Sequence, residues 1–441
     1  MSTNLHQRLS GIPDEHVLVI APNGRLSVAE VLQSGPAADI PSDARVLVSI
    51  DDVRELTRVL VALDGAVAGI LLVSTAQPPE VVEELAKVAD CTIIVSDRDD
   101  LASARNVVQA IGPTRPRDRT TGWIMTTSGT TGIPKLVPHT LDSLARSVRT
   151  EKVQPVPVWG MVYEMTRFAG LQVALQSLLS GGTLCVPERD RDVSEQVRFL
   201  VESGCTHLSA TPTLWRRLLM APESNKLTLK QVTLGGEIAD QAVLNALAAR
   251  FPHARLTHIY ASTEAGVGFA VKDGKAGFPL SLAEEQSEGV GIRIRDNTLW
   301  LRPPGGYRPR YLSGQDIEID ANGYINTGDR LEIAGDRAHF LGRDSSVVNV
   351  GGVKVYPERV ERVIGDVEGV GLVAVTAKKS PITGALLIAS VVPASQDLDT
   401  AELKQRIMAR CRNTLEREAT PARIVFTQTL QTNAAGKISR N

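Results

Sequence analysis

The sequence predicts a chain in two parts: a large α/β body built on parallel strands, residues 1–343, and a compact α+β domain, residues 344–441. Three observations carry this reading. Short apolar runs alternate with helix-spaced apolar positions through the first 125 residues. The same rhythm returns from about residue 166 to 250. Strands and turns then dominate from 287 to 342, and the pattern changes once more after Arg343-Asp344.

In order along the chain, the runs Val17–Ala21, Val46–Ile50, Ile70–Val73 and Thr92–Val95 read as buried strands. Between them, Val53, Leu56, Leu60 and Leu63 fall at helical spacing, as do Val81, Leu85 and Val88. Strand, helix, strand at this rhythm argues for one α/β layer with parallel strands. Phe168 to Leu179 reads as an apolar helix ended by Gly181-Gly182, and Thr183–Val186 as the strand after it. Val193–Glu202 is a further helix, and Leu208–Ala210 a short strand. In the later region, Pro303-Pro304-Gly305-Gly306 and Ala321-Asn322-Gly323 are turn signals. Past Arg343, Val347–Val355 reads as a hairpin around Gly351-Gly352, and Pro357 opens a helix with Val360, Val363 and Ile364 inward. Strands near 371–376 and 385–392, a helix from about 400 to 417 and a strand at 424–426 complete that domain.

Composition bounds the function. At 441 residues the chain is long enough for two or three cores. A net charge of −2 gives no electrostatic case for nucleic acid or an anionic membrane as main partner. The longest apolar stretch, Val67–Val73, is far below the roughly 20 residues that span a bilayer. The N-terminus, MSTNLHQRLSG, lacks the basic and apolar regions of a signal peptide, so a cytoplasmic protein is expected. Cys91, Cys185, Cys205 and Cys411 are scattered, with no CxxC or Cys/His spacing for zinc. Cys411, on a face with Leu403, Ile407 and Leu415, is expected as a buried thiol.

The most informative stretch is Thr126-Thr127-Ser128-Gly129-Thr130-Thr131-Gly132-Ile133-Pro134-Lys135. Glycine permits close backbone approach to a ligand, hydroxyls and N–H groups donate to anionic oxygens, and Lys135 adds a point charge. The apolar Gly122–Met125 just upstream marks a strand leading into it. Such a loop suits a polyphosphate; a solvent-facing loop has the same composition. It is not a Walker loop: Gly129 and Gly132 are three apart, Lys135 follows Pro134, and Leu136 takes the Ser/Thr place.

Four further constellations follow. Tyr260-Ala261-Ser262-Thr263-Glu264 offers a ring to stack on a base, a hydroxyl for a phosphate oxygen and a carboxylate for Mg²⁺, though a strand end with a surface glutamate reads the same way. Thr327-Gly328-Asp329 places a carboxylate where it could accept both ribose hydroxyls; it is also ordinary turn chemistry. Then come Gly342-Arg343-Asp344 with Gly351-Gly352-Val353-Lys354-Val355-Tyr356-Pro357, and finally Gly436-Lys437. In this order, together with Gly235-Gly236-Glu237, the motifs resemble those of the adenylate-forming (AMP-binding) superfamily: acyl-CoA synthetases, aryl-acid ligases, peptide-synthetase adenylation domains and luciferases. The resemblance runs from about residue 121 to the end.

It implies a large N-terminal domain of layered sheets, helices and a small β region, carrying a small mobile C-terminal domain. It implies that Thr127, Ser128, Gly129, Thr130, Thr131, Gly132 and Lys135 wrap the β- and γ-phosphates of ATP. Gly235, Gly236, Glu237, Tyr260 and Ala261 would line adenine and the acyl group, Thr263 would meet the α-phosphate and Glu264 the magnesium. Asp329 and Arg343 would grip the ribose, Asp344 would be the hinge, Lys437 the catalytic lysine, and Gly351 and Gly352 would border a thiol tunnel. The implied reaction joins a small aryl or acyl carboxylic acid to AMP, then to coenzyme A or a carrier-protein phosphopantetheine. A silent nucleotide-binding member, or transfer to a non-thiol acceptor, are the alternatives.

The chain also departs from the family. Its phosphate loop starts early, so the N-terminal part is short, and the stretch from Glu264 to Trp300 is abbreviated. Arg167 and Phe168 stand at the entry to the acyl-pocket helix, where Arg167 could pair with a second polar group on the acid or with a buried structural partner. Glu164 does not match the aspartate that holds an amine in amino-acid-selecting domains, which favours an aryl or acyl acid.

Overall fold

The computed structural model describes residues 3–127, 133–150, 154–284, 289–314, 316–380, 384–395 and 397–431. Three larger sheets make the body. The first has five strands, in the order Ile93–Ser96, Arg45–Ser49, Gly69–Leu72, Gly122–Thr126 and Leu136–Thr140. The first four run parallel and the last antiparallel, so the chain enters the threonine-rich loop on one strand and returns beside it on the next. Helix Val53–Leu63 begins at Asp52, whose carboxylate accepts from the Arg54 and Glu55 N–H groups. Its Leu56, Val59, Leu60 and Leu63 are buried, each contributing about 1.5–3 kcal/mol of transfer free energy. Trp123, on the strand before the loop, is fully buried and donates its indole N–H to Asp64 Oδ1 at 3.0 Å.

The second sheet has eight strands, in the order Gly266–Val271, Arg255–Ser262, Gln231–Gly235, His207–Ala210, Val158–Met161, Thr183–Cys185, Val17–Ala21 and Gly24–Ser27. The inner six are parallel and both edges antiparallel. Here the structure corrects the sequence reading. Val17–Ala21 does not join the layer of its sequence neighbours; it pairs with Thr183–Cys185, more than 160 residues on. Leu18 and Val19 are fully buried in the core that the two sheets share.

The third sheet is antiparallel: Phe278–Pro279, Arg337–Arg343, Ile325–Ala334, Thr298–Arg302 and Gly291–Arg295. Beyond it, residues from Val348 to Phe426 pack a core of their own. The hairpin Val348–Val350/Val353–Val355 leads to helix Pro357–Gly365, with Val360, Val363 and Ile364 buried as expected. Strands Val370–Ser380, Gly384–Pro393 and Arg423–Phe426 form its sheet, with helix Thr400–Thr414 against them. That helix stops three residues before the predicted Arg417, which instead opens a short 3₁₀ turn. Cys411 is fully buried among Leu403, Ile407 and Leu415, and all four cysteines are free.

This C-terminal part touches the third sheet through Arg362, which meets the Phe340 carbonyl at 3.5 Å and Glu332 at 3.5 Å. The two parts also approach at Gly342, where φ is +147° and a Cβ would lie 2.5 Å from Glu358 Oε2. Among the described residues no helix is long and apolar enough to cross a membrane.

Candidate active site

Three sequence-predicted residues converge at the junction of the second and third sheets. Strands Ile325–Ala334 and Arg337–Arg343 pair in a register that sets Asp329 opposite Arg343. Gly328, at φ +70°, sits where the strand bulges just before it, and Thr327 Oγ1 accepts the Asp329 N–H at 3.1 Å. Asp329 is buried at 7% exposure and takes a hydrogen bond from Arg343 Nε at 3.0 Å on Oδ1. Its other oxygen accepts the Tyr260 hydroxyl. The carboxylate raises the Arg343 guanidinium above its ordinary range, and burial, then Asp329, raises the Tyr260 phenol.

The Tyr260 ring is half-buried and lies nearly parallel to Phe269 at 5.3 Å and to Phe340 at 5.4 Å. Phe269 is its cross-strand partner. Tyr260 serves Asp329 through its hydroxyl.

A second group gathers around the turn after strand Arg255–Ser262. Glu264 Oε1 accepts the Tyr311 hydroxyl at 2.8 Å. The Lys135 ammonium sits over the Tyr311 ring, 4.5 Å from its centroid. One aromatic ring therefore joins the exit of the threonine-rich loop to the glutamate of the Thr-Glu motif. The two ends of that loop are pinned: Thr127 N–H donates to the Lys135 carbonyl at 2.9 Å, and Lys135 N–H to Thr127 Oγ1 at 3.2 Å. Ser128, Gly129, Thr130, Thr131 and Gly132 lie outside the described residues, as does Lys437.

His139, four residues past Lys135, fixes Thr263. A carbonyl can only accept, so Nε2 of His139 carries a proton and donates to the Thr263 carbonyl at 2.8 Å. Burial lowers the basicity of this ring. Tyr307 stacks on it at 5.7 Å, and Phe168 lies 6.2 Å away. Burial, then Glu264, pushes the Tyr307 hydroxyl up to about 12.

At the expected acyl side, Tyr163 is buried and its hydroxyl faces the Gly235 carbonyl at 3.5 Å. Gly236 has φ +82° and is exposed. Ala261 is half-buried and packs against the main core. Glu237 Oε2 accepts the Thr213 N–H at 2.9 Å, at the N-terminus of helix Pro212–Met220, where a carboxylate is favoured.

Arg167 takes the structural partner. Its Nε pairs with Glu164 at 3.3 Å, and the Glu164 side chain is only 4% exposed. Glu164 also accepts from Thr166 Oγ1 at 2.8 Å and Thr75 N at 3.2 Å. The arginine is engaged in a buried ion pair, the structural partner left open by the sequence; Phe168 stays at the helix entry, 9% exposed.

Asp344 opens a 3₁₀ turn and accepts from Arg330 Nε at 2.6 Å. Gly351 and Gly352 are exposed, with no described atom within 4 Å of a Cβ at either. Sequence reasoning missed Tyr307, Tyr311 and His139. The two tyrosines follow Pro303–Gly306, a segment legible only as a turn, and nothing local marked their distant partners.

The chain is similar to a fatty acid–[acyl-carrier-protein] ligase of Mycobacterium marinum, 28% identical over 71% of this chain and 66% of that protein. A medium/long-chain fatty acid–[acyl-carrier-protein] ligase of Mycobacterium tuberculosis is 30% identical over 71% of this chain and 64% of its own length. A 2-succinylbenzoate–CoA ligase of Listeria monocytogenes is 29% identical over 72% and 68%. The chain thus spans about two thirds of the length of the curated relatives it matches. In fold it is similar to an anthranilate CoA ligase in complex with anthranoyl-AMP, with TM-score 0.79, 15% identity and 99% and 95% of the two chains covered. The o-succinylbenzoate coenzyme A synthetase of Bacillus subtilis in complex with ATP and magnesium gives TM-score 0.74 at 19% identity, covering 100% and 98%. The profile of AMP-binding enzymes matches residues 28–306, nearly two thirds of the chain, and that of their C-terminal domain matches 359–437; with the expected motifs at the positions described, the chain belongs to the AMP-binding enzyme family.

Proposed function

We propose that this chain is an ATP-dependent carboxylate–thiol ligase. It activates a small aryl or acyl acid as an acyl-adenylate, releasing pyrophosphate, and passes the acyl group to the thiol of coenzyme A or of a carrier protein. The observation that carries the reading is the placement of one buried carboxylate, Asp329, beneath Arg343, with Glu264 and Lys135 on a shared ring. The relatives named above, ligases for coenzyme A and for acyl carrier proteins, support it. We assign the reaction to the cytoplasm, where ATP and the acceptor thiol meet.

A carboxylate attacks an anionic phosphate poorly because like charges repel, so the chain must position both and neutralise charge between them. Asp329 and Arg343 hold the ribose, the Thr127–Lys135 loop the departing phosphates, and Thr263 the α-phosphate. Gly235, Gly236, Glu237, Ala261 and Phe168 bound the base and the acid. Magnesium fits Glu264: its Oε2 carries no hydrogen bond among the described residues, and one carboxylate with nucleotide oxygens is an ordinary Mg²⁺ donor set. When bound, the ion neutralises phosphate charge. Lys437, on the small domain 344–441, approaches the reacting carboxylate. Rotation at Asp344 then withdraws it and brings Gly351-Gly352 to the thiol.

The test is acid-dependent ATP–pyrophosphate exchange over an acid panel, followed by mass spectrometry with coenzyme A and with a carrier protein. Lys437→Ala is expected to abolish exchange while sparing thiolation of preformed acyl-adenylate. No exchange with any acid would indicate a silent member, and exchange without thioester a non-thiol acceptor. Near-normal exchange in Lys437→Ala removes that lysine from its role.

A further inference from the structure

Tyr311 has no place in the five sequence motifs, yet its side chain touches two of them. Its hydroxyl donates to Glu264 Oε1 at 2.8 Å, and its ring carries the Lys135 ammonium at 4.5 Å. Both contacts are directional. A donated hydrogen bond fixes the plane of a carboxylate, and a cation over an aromatic face is held by the ring quadrupole. The segment bearing Tyr311 does not depend on either contact for its position. Tyr307 donates its hydroxyl to the Pro138 carbonyl at 2.6 Å, and Leu312 N–H donates to the Leu136 carbonyl at 2.9 Å. Both anchors lie on strand Leu136–Thr140, which leaves the phosphate loop. The ring is thus set on the same strand that fixes Lys135.

We infer that Tyr311 is a positioning residue that aligns Glu264 and Lys135 around the metal–polyphosphate group of ATP: its hydroxyl occupies Oε1 so that Oε2 faces the divalent cation, and its ring parks the lysine ammonium beside the phosphates. This rests on the ligase reading above, specifically on Glu264 as the metal carboxylate. Hydrogen-bond partners of a metal-binding carboxylate set its orientation, and their loss typically lowers metal affinity about 10- to 100-fold. The two contacts separate by chemistry. Phenylalanine keeps the ring and loses the hydroxyl, whereas leucine loses both.

The experiment is calorimetric titration of ATP into the full chain at a series of free Mg²⁺ concentrations and in excess chelator, for wild type, Tyr311→Phe, Tyr311→Leu and Glu264→Gln. Melting temperatures are taken on the same samples. In Tyr311→Phe, the Mg²⁺ concentration giving half the metal-dependent gain in affinity is expected to rise about tenfold, with chelator-measured ATP affinity unchanged. In Tyr311→Leu the same shift is expected together with weaker binding in chelator, because Lys135 loses its seat. An unshifted Mg²⁺ response in Tyr311→Phe, with Glu264→Gln losing the metal-dependent gain, overturns the role of Tyr311 and leaves the metal assignment standing. An intact gain in Glu264→Gln overturns both. Should Tyr311→Leu unfold, the phenylalanine variant alone decides, since it keeps the ring together with the Tyr307 and Leu312 anchors.

Discussion

Asp329→Asn is the sharpest test of the ribose site. An ionised carboxylate offers about four lone-pair positions. Asp329 uses one on Oδ1 for Arg343 and one on Oδ2 for Tyr260, which leaves two for a vicinal diol. A hydrogen bond to a charged acceptor contributes about 1.5–3 kcal/mol. The Arg343 side chain is 57% exposed, so water competes here and the lower figure applies. Two such bonds give about 3 kcal/mol, or roughly a hundredfold in affinity at 1.4 kcal/mol per factor of ten. Asparagine keeps the shape and one acceptor oxygen, and the Tyr260 hydroxyl can turn to accept from its amide. Isothermal titration should therefore show ATP binding weakened between about tenfold, one such bond lost, and about a hundredfold, both lost, while a nucleotide lacking both ribose hydroxyls binds wild type and variant alike. If Asp329→Asn still prefers ATP over that analogue by the wild-type ratio, the carboxylate does not hold the ribose.

Two further outcomes follow from the same geometry. Arg167→Leu should leave the order of preferred acids in an exchange panel unchanged. It should cost about 1–2 kcal/mol in denaturant unfolding, below the usual loss for a broken buried pair, because Thr166 and Thr75 still donate to Glu164; a reordered acid preference would return Arg167 to the substrate. His207, tilted 40° to Trp159 with ring centroids 4.7 Å apart, is lowered to about 4 by burial and by Arg255 and Lys230. The unfolded chain binds its proton first, so the stability it contributes is present above about pH 6.5 and lost as pH falls toward 4. His207→Gln should flatten that acid limb in thermal melts from pH 7 to 4, and an unchanged slope would show that this ring does not set it.

Much of the fold was legible because it is locally encoded. Pro357 and the spacing of Val360, Val363 and Ile364 specify a helix and its inner face, and Leu403, Ile407, Cys411 and Leu415 do the same for the last one. What the sequence did not disclose was pairing at a distance. Nothing in Val17–Ala21 states that its neighbour is Thr183–Cys185, since a fully apolar strand satisfies any parallel layer. The site divides in the same way. Asp329 and Arg343, each singled out in sequence for the ribose, lie fourteen residues apart on neighbouring strands that bring them together. The Tyr260 ring was visible in sequence, whereas Phe269 and Phe340 were not visibly beside it. Tyr311 left no signal, because its meaning lies wholly in a glutamate and a lysine from two other segments.

Arg343 ends its strand and Asp344 begins the next turn, so the guanidinium on Asp329 and the start of the C-terminal portion are one peptide bond apart. In the proposed reaction, a swing begun at Asp344 would pull first on the carbonyl of the residue bonded to Asp329. Nucleotide occupancy and domain position would then share a single lever. A ligand that stiffened Arg343 would also delay the swing, and its departure would release both together, which would give the reaction an order without a separate sensor.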